Sequence, residues 1–144
     1  MPPCAPLRGA DWLWLAGAVA SGGALAPLAL FAGLARLQGH VAGMLLNFEV
    51  VFTVALALWM HHERLGRRGA LGAAGVVLGG ALLALASPGG GASQPVRLSG
   101  ALLVTAACAL WALDNNLTQH VSGRDARQIV ATKGLAGGAF NLGL

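Results

Sequence analysis

The chain has 144 residues, 56% hydrophobic and only 10% charged, where soluble proteins carry roughly 25% charge. Nine Lys and Arg against five Asp and Glu leave a formal charge of +4, too few ionised groups to coat a water-soluble surface of this size. The same figures exclude intrinsic disorder, and two cysteines without CxxC or Cys/His spacing exclude a disulfide scaffold and a structural zinc site.

The expected solvent is therefore a bilayer, and the sequence is read for runs approaching the ~20 apolar residues that cross hydrocarbon as a helix. Five such runs predict an all-α, polytopic membrane protein of about five transmembrane helices. The first covers Trp12 to Ala35, after a short leader, residues 1–10, with no organised character. It is longer than a signal-peptide core and further apolar runs follow it, so it reads as a span. Trp12 and Trp14 at its start, with Trp59 near the end of the next run, suit an aromatic belt at the headgroups.

The second run, Val41 to Met60, holds Glu49 about halfway along, where an acidic side chain costs about 2.5–3.5 kcal/mol on insertion scales. Such a group needs a partner or a proton. Helical spacing puts Ala42, Leu45, Glu49, Thr53, Leu56 and Met60 on one face, which turns Glu49 toward the bundle or a wet cavity. Two roles are open to it: exchanging a proton or neutralising a cationic substrate, or holding the bundle together as a protonated, hydrogen-bonded acid. Asn47 projects to the opposite side and is expected to bond another helix. After the run, Glu63 and Arg64 lie in an interfacial turn with His61 and His62. Glu63 is read as a solvated end or an i,i+4 partner of Arg67, not as part of a metal site, because consecutive side chains fan around a helix.

The third run, Gly69 to Ser87, is rich in glycine, but it lacks GxGxxG spacing and no strand precedes it, so no dinucleotide site is expected. Pro88 to Pro95 follows as the most linker-like stretch, the candidate boundary between two repeats. The fourth run, Leu98 to Leu117, ends in a polar cluster with Trp111, Asp114, Asn115 and Asn116. Either the cluster lines a substrate vestibule or it caps the helix, with an Asp114 to Thr118 contact. The fifth run begins near Gln128 and carries Lys133, which could pair with Asp114 but is expected to snorkel to the interface. Gly39 with Gly43, Gly75 with Gly79 and Gly134 with Gly138 have the small-xxx-small spacing of close helix packing. His40 and His120 are expected to be solvated.

Lys and Arg of short loops stay on the cytoplasmic side. With the start inside, Arg8, Arg64, Arg67, Arg68, Arg124, Arg127 and Lys133 fall inside and only Arg36 and Arg97 outside. The expected placement is a bacterial inner membrane with a cytoplasmic N-terminus. Because the basic residues are scattered, with no aromatic-interleaved basic face, nucleic acid is not an expected partner.

The run LLNFEVVFT, residues 45–53, followed by HERL at 62–65 and GAAGVVLGG at 72–80, resembles the end of the first repeat of EamA-like transporters of the drug/metabolite transporter superfamily. AACALWALDNNLT, residues 106–118, looks like the opening helix of the second repeat. The resemblance implies ten helices in two five-helix repeats of inverted topology around a central cavity that opens alternately to either side. On that basis residues 11–87 supply the last three helices of the first repeat, 88–97 an external linker, and 98–144 the start of the second, so a partial chain is expected. It also matches Glu63 to the family's turn glutamate and Trp111 to the tryptophan of a repeat's first helix. Val50 stands where the family often has proline. The implied function is a secondary transporter exporting small metabolites or drugs on a proton or ion gradient. Its expected pathway residues are Glu49, Thr53, Asn47, Trp111, Asp114 and Asn115, with Glu63 and Arg64 in the cytoplasmic turn. No cofactor and no enzymatic activity are expected; the expected partners are lipid, a small-molecule substrate, and either the missing repeat helices or a second chain. A non-catalytic membrane subunit that needs a partner chain and an inactive truncation are the alternatives.

Overall fold

The computed structural model describes residues 5–60, 66–86 and 97–143, and these are almost entirely helical. Five helices follow the five apolar runs: α1, Asp11–Leu34; α2, Gly39–Met60; α3, Arg67–Ala86; α4, Leu98–Gln119; and α5, Ala126–Leu142. Among the described residues, α1, α2 and α4 are long and apolar enough to cross a membrane, whereas α5 has 17 residues. Residues 61–65 and 87–96 lie outside the described residues, and with them Glu63, Arg64 and the Pro88 to Pro95 linker.

In space the helices run α5, α1, α4, α2, α3. The fourth helix in sequence is thus the centre of the array, wedged between the first two, and its buried residues include Val104, Ala107, Cys108 and Ala112. Large side chains on the outside stay uncovered: Leu13 is 77% exposed, Trp59 75% and Leu135 76%. Leucines this open would aggregate in water and are at no cost in lipid.

The centre is held by close backbone approach, and the glycines responsible are not the ones with small-xxx-small spacing. A Cβ on Gly33 of α1 would stand 2.7 Å from Val104 Cγ2 and 3.1 Å from the Gly100 carbonyl, and one on Gly22 would stand 2.1 Å from Asp114 Oδ2. Lipid tails are as apolar as leucine, so contact area and interhelical bonds drive association, and glycine admits both. Among the described residues, Gly39, Gly43, Gly75, Gly79, Gly134 and Gly138 have nothing within 4 Å of a built Cβ. The spacing was misleading because a chain with 22 glycines produces it on uncovered faces as readily as on packed ones.

Two interruptions punctuate the helices. In α1, residues Val19–Leu25 form a π-helical segment in which the Ala26 N–H reaches back to the Ser21 carbonyl. Pro27, two residues into the resumed α-helix, explains it: proline has no N–H to give the carbonyl four residues earlier, that of Gly23. In α2 the helix breaks at Asn47, between Leu46 and Phe48.

The described part of the segment before α1, residues 5–10, is organised, contrary to the sequence reading. The Asp125 N–H donates to the Ala5 carbonyl (3.1 Å), the Leu7 N–H donates to Gln128 Oε1 (3.1 Å), and Arg124 Nε pairs with Asp11 Oδ2 at 2.8 Å. Leu7 is buried with Leu15, Val121 and Ile129, a small apolar cluster under the α4–α5 turn. No short-range pattern announced this, because the partners are more than a hundred residues apart.

Candidate functional site

Helix α4 carries polar side chains on two faces, and each face meets different helices. Trp111, Asp114 and Thr118, at i, i+3 and i+7, share the face toward α1 and α5. Cys108, Asn115 and Asn116 look toward α2.

On the first face, Trp111 Nε1 donates to the Gly22 carbonyl at 3.2 Å, inside the π-helical segment of α1. Asp114 is 8% exposed and its carboxylate lies against Gly22, in space that only a residue without Cβ leaves open. Lys133 Nζ of α5 donates to Asp114 Oδ1 at 2.5 Å and to Thr118 Oγ1 at 3.0 Å, and the Thr118 hydroxyl donates to the same carboxylate at 3.1 Å. Lys133 therefore does not snorkel. Placing the ammonium on a buried carboxylate satisfies both ions, which reaching past α4 for the interface would not. The Asp114 to Thr118 contact, one of the two alternatives left open by the sequence, is present inside this ion pair.

On the second face, Asn115 Nδ2 donates to Glu49 Oε1 at 3.2 Å. Glu49 is half-buried, and among the described residues its partner is this neutral amide and not a cation. Asn116, 1% exposed, donates through Nδ2 to its own helix at Ala112 (2.8 Å) and to the Thr53 carbonyl of α2 (3.2 Å). Its Oδ1 is buried without a hydrogen-bond partner. The Cys108 thiol faces the Leu45 carbonyl at 3.5 Å, next to the break in α2.

Asn47 is the exception among the expected pathway residues. Its amide turns back onto the Met44 (3.2 Å) and Gly43 (3.5 Å) carbonyls of its own helix and, among the described residues, forms no bond to another helix, contrary to the expectation. At the break, the nearest unfilled acceptors are the carbonyls of the turn it ends, and the side chain takes them. It borders an apolar groove of about 280 Å³ between α2 and α3, lined by Met44, Phe48, Val51, Val77 and Gly80. His120 is also not merely solvated: its ring stacks on Trp14, centroids 4.1 Å apart and planes 8° from parallel.

The structure thus brings Glu49, Thr53 and Asn115 to one seam and Trp111 and Asp114 to another, with Asn47 outside both. The sequence reading missed Ser21, Gly22, Gly23 and Asn141. Asn141 Nδ2 donates to the Gly23 carbonyl at 2.6 Å, and Ser21 Oγ donates to the Gly17 carbonyl at 2.9 Å. The available signal was Ser-Gly-Gly followed four residues later by Pro27 inside an apolar run, which marks freed carbonyls in a membrane helix.

Residues 3–85 match the EamA-like transporter family. An uncharacterized transporter of Methanothermobacter thermautotrophicus is 31% identical over 115 residues, 79% of this chain. The chain belongs to the EamA-like transporter family. It spans 34% of the length of that relative. No solved structure matches it. Family membership and the three long apolar helices make this a multi-pass membrane protein.

Proposed function

We propose that this chain forms part of a secondary transporter that exports small metabolites or drug-like amphiphiles across a cell membrane on a proton or ion gradient. In this reading the N-terminus is cytoplasmic and Glu49 is the coupling residue. The observation that carries it is the pairing of Glu49 with Asn115: a carboxylate midway along an apolar helix, hydrogen-bonded by a neutral group from the central helix. A carboxylate already held by lysine has its charge compensated, whereas one held by an amide retains a net charge that a proton or a cationic substrate can neutralise. The buried and unpaired Asn116 Oδ1 supplies a further acceptor one residue along. Asp114, bound by Lys133, is assigned a structural part.

The test is flux in proteoliposomes containing the full-length protein, comparing the parent with Glu49→Gln under an imposed pH gradient. Glu49→Gln keeps the shape and the hydrogen bond to Asn115 but cannot ionise. The expected result is loss of gradient-driven flux with membrane insertion intact, and undiminished flux would make the residue structural. A second reading, a membrane subunit that works only with a partner chain, draws on the open glycine faces Gly39/Gly43 and Gly75/Gly79. It predicts that the 144-residue chain is silent in vesicles alone and active once the second chain is added.

A further inference from the structure

Helix α5 meets the rest of the molecule along one narrow line. Lys133, Gly137 and Asn141 follow one another at i, i+4 and i+8, so they stack on one face of the helix. Each has a defined partner on the opposite side. Lys133 takes Asp114 and Thr118 of α4; Gly137 lies against Gly23, where a Cβ on either would stand 3.3 Å from the other's Cα; Asn141 donates to the Gly23 carbonyl and to the Gly137 carbonyl (2.7 Å). The packing surface offered to α5 is largely the π-helical segment of α1, and the outer flank of α5 is exposed at Val130, Leu135 and Leu142.

We propose that α5 is a latched, pivoting helix: the Gly23–Gly137 contact is its fulcrum, and the Lys133–Asp114 pair is the catch that holds it docked. The geometry has the parts such a device needs. A glycine-on-glycine contact has no interdigitated side chains to resist rotation, unlike the knob-in-hole packing of leucines. The carbonyl at the fulcrum is available because Pro27 cannot use it, so the α5 bond to Gly23 forms and breaks without disturbing the hydrogen-bond ladder of α1. Single π-helical turns inside α-helices are frequent at functional sites. The catch is ionic and sits four residues from the fulcrum; beyond it the start of α5 stays tied by Ile129 in the apolar cluster and by Gln128 to Leu7, so releasing the pair loosens the stretch between that anchor and the fulcrum. This assignment stands apart from the role given to Glu49, which lies on the opposite face of α4.

Distance measurement between spin labels tests it in the 144-residue chain in lipid bilayers, in a Cys4→Ser, Cys108→Ala background. Labels at Leu13 and Leu135, both more than three-quarters exposed, report α1 against α5; labels at Leu13 and Leu102, also exposed, report α1 against α4 as a control. The parent and Lys133→Arg, which keeps the pair, are expected to give one narrow α1–α5 distribution. Lys133→Met is expected to add a population displaced by roughly 2–5 Å, the scale of known helix shifts, while the control pair stays unchanged. Gly137→Leu, which fills the fulcrum, is expected to separate the helices whether or not the catch is intact. An α1–α5 distribution unaltered by Lys133→Met would overturn the proposal. So would equal broadening of both label pairs in Lys133→Met, which means general loosening and not release of a catch.

Discussion

Gly22→Ala is the sharpest test of how α1 and α4 are joined. The added methyl would stand 2.1 Å from Asp114 Oδ2, 2.5 Å from its Cγ and 2.6 Å from its Cβ. Rotating the carboxylate away relieves the first two contacts but not the third, because Cβ is fixed by the α4 backbone. The helices must therefore move apart, which lengthens the Trp111 bond to the Gly22 carbonyl and pulls Asp114 from Lys133. Overpacking costs about 1–3 kcal/mol, and this case belongs at the upper end because the obstacle cannot swing aside. Two interhelical polar contacts add about 0.6 kcal/mol each by the average measured in membranes. Alanine returns about 1 kcal/mol of helix propensity. The net is a loss of about 2–3 kcal/mol. Gly43→Ala meets nothing within 4 Å and retains only the propensity gain, so the two variants should differ by about 3–4 kcal/mol. Reversible unfolding by SDS in mixed micelles measures the difference. Equal midpoints for the two variants would refute close α1–α4 packing at Gly22.

Gly17→Ala should be nearly neutral in the same assay, since its methyl would meet only the Leu117 Cδ1 end at 3.2 Å, and that side chain can give way. Arg124→Gln removes the pair with Asp11, whose side chains are 35% and 14% exposed; the loss should stay under about 1 kcal/mol and shrink with added salt, as read by the same unfolding at two ionic strengths. Trp14→Ala should lose about 1 kcal/mol from the stack on His120 together with interfacial anchoring, seen as a lower SDS midpoint and greater tilt of α1 by oriented infrared spectroscopy. Asn116→Leu should change stability by less than about 1 kcal/mol, because it removes an unpaired buried acceptor along with two bonds. In the full-length protein it should nevertheless lower flux, and flux at the parent level would show that the Asn116 amide is not used.

What the sequence made legible followed from single-residue physics. Apolar length located all five helices, and the cost of a carboxylate in hydrocarbon singled out Glu49, which takes a hydrogen bond from Asn115 of α4. What it hid depended on which helices become neighbours. Nothing local says that α4 inserts between α1 and α2, so nothing local says that Gly22 and Gly33 are tightly packed while Gly39 and Gly75 are open. Lys133 was misread for the same reason: a lysine near a helix end snorkels by default, and only the docking of α5 beside α4 puts Asp114 within its reach. The π-helical segment was concealed differently. Its cause, Pro27, is visible in the sequence, but a proline inside a membrane helix is tolerated in several ways, and the choice is made by the donors that Trp111 and Asn141 bring to the freed carbonyls.

The two intramembrane acids illustrate why burial alone does not rank functional candidates. Asp114 is the more deeply buried, and burial alone would make it the first candidate for a functional acid. Yet an ammonium, a hydroxyl and a shaped recess at Gly22 all serve its charged form, so removing that charge would strand Lys133 in a low-dielectric setting at a cost of several kcal/mol. Glu49 is less buried and less well served, with one amide donor from Asn115 that suits either protonation state of the carboxyl. Among the described residues an ammonium faces Asp114, whereas Glu49 is met only by a neutral amide. That difference is why the proposed transport role gives Asp114 the task of holding helices in place and leaves Glu49 as the acid for coupling.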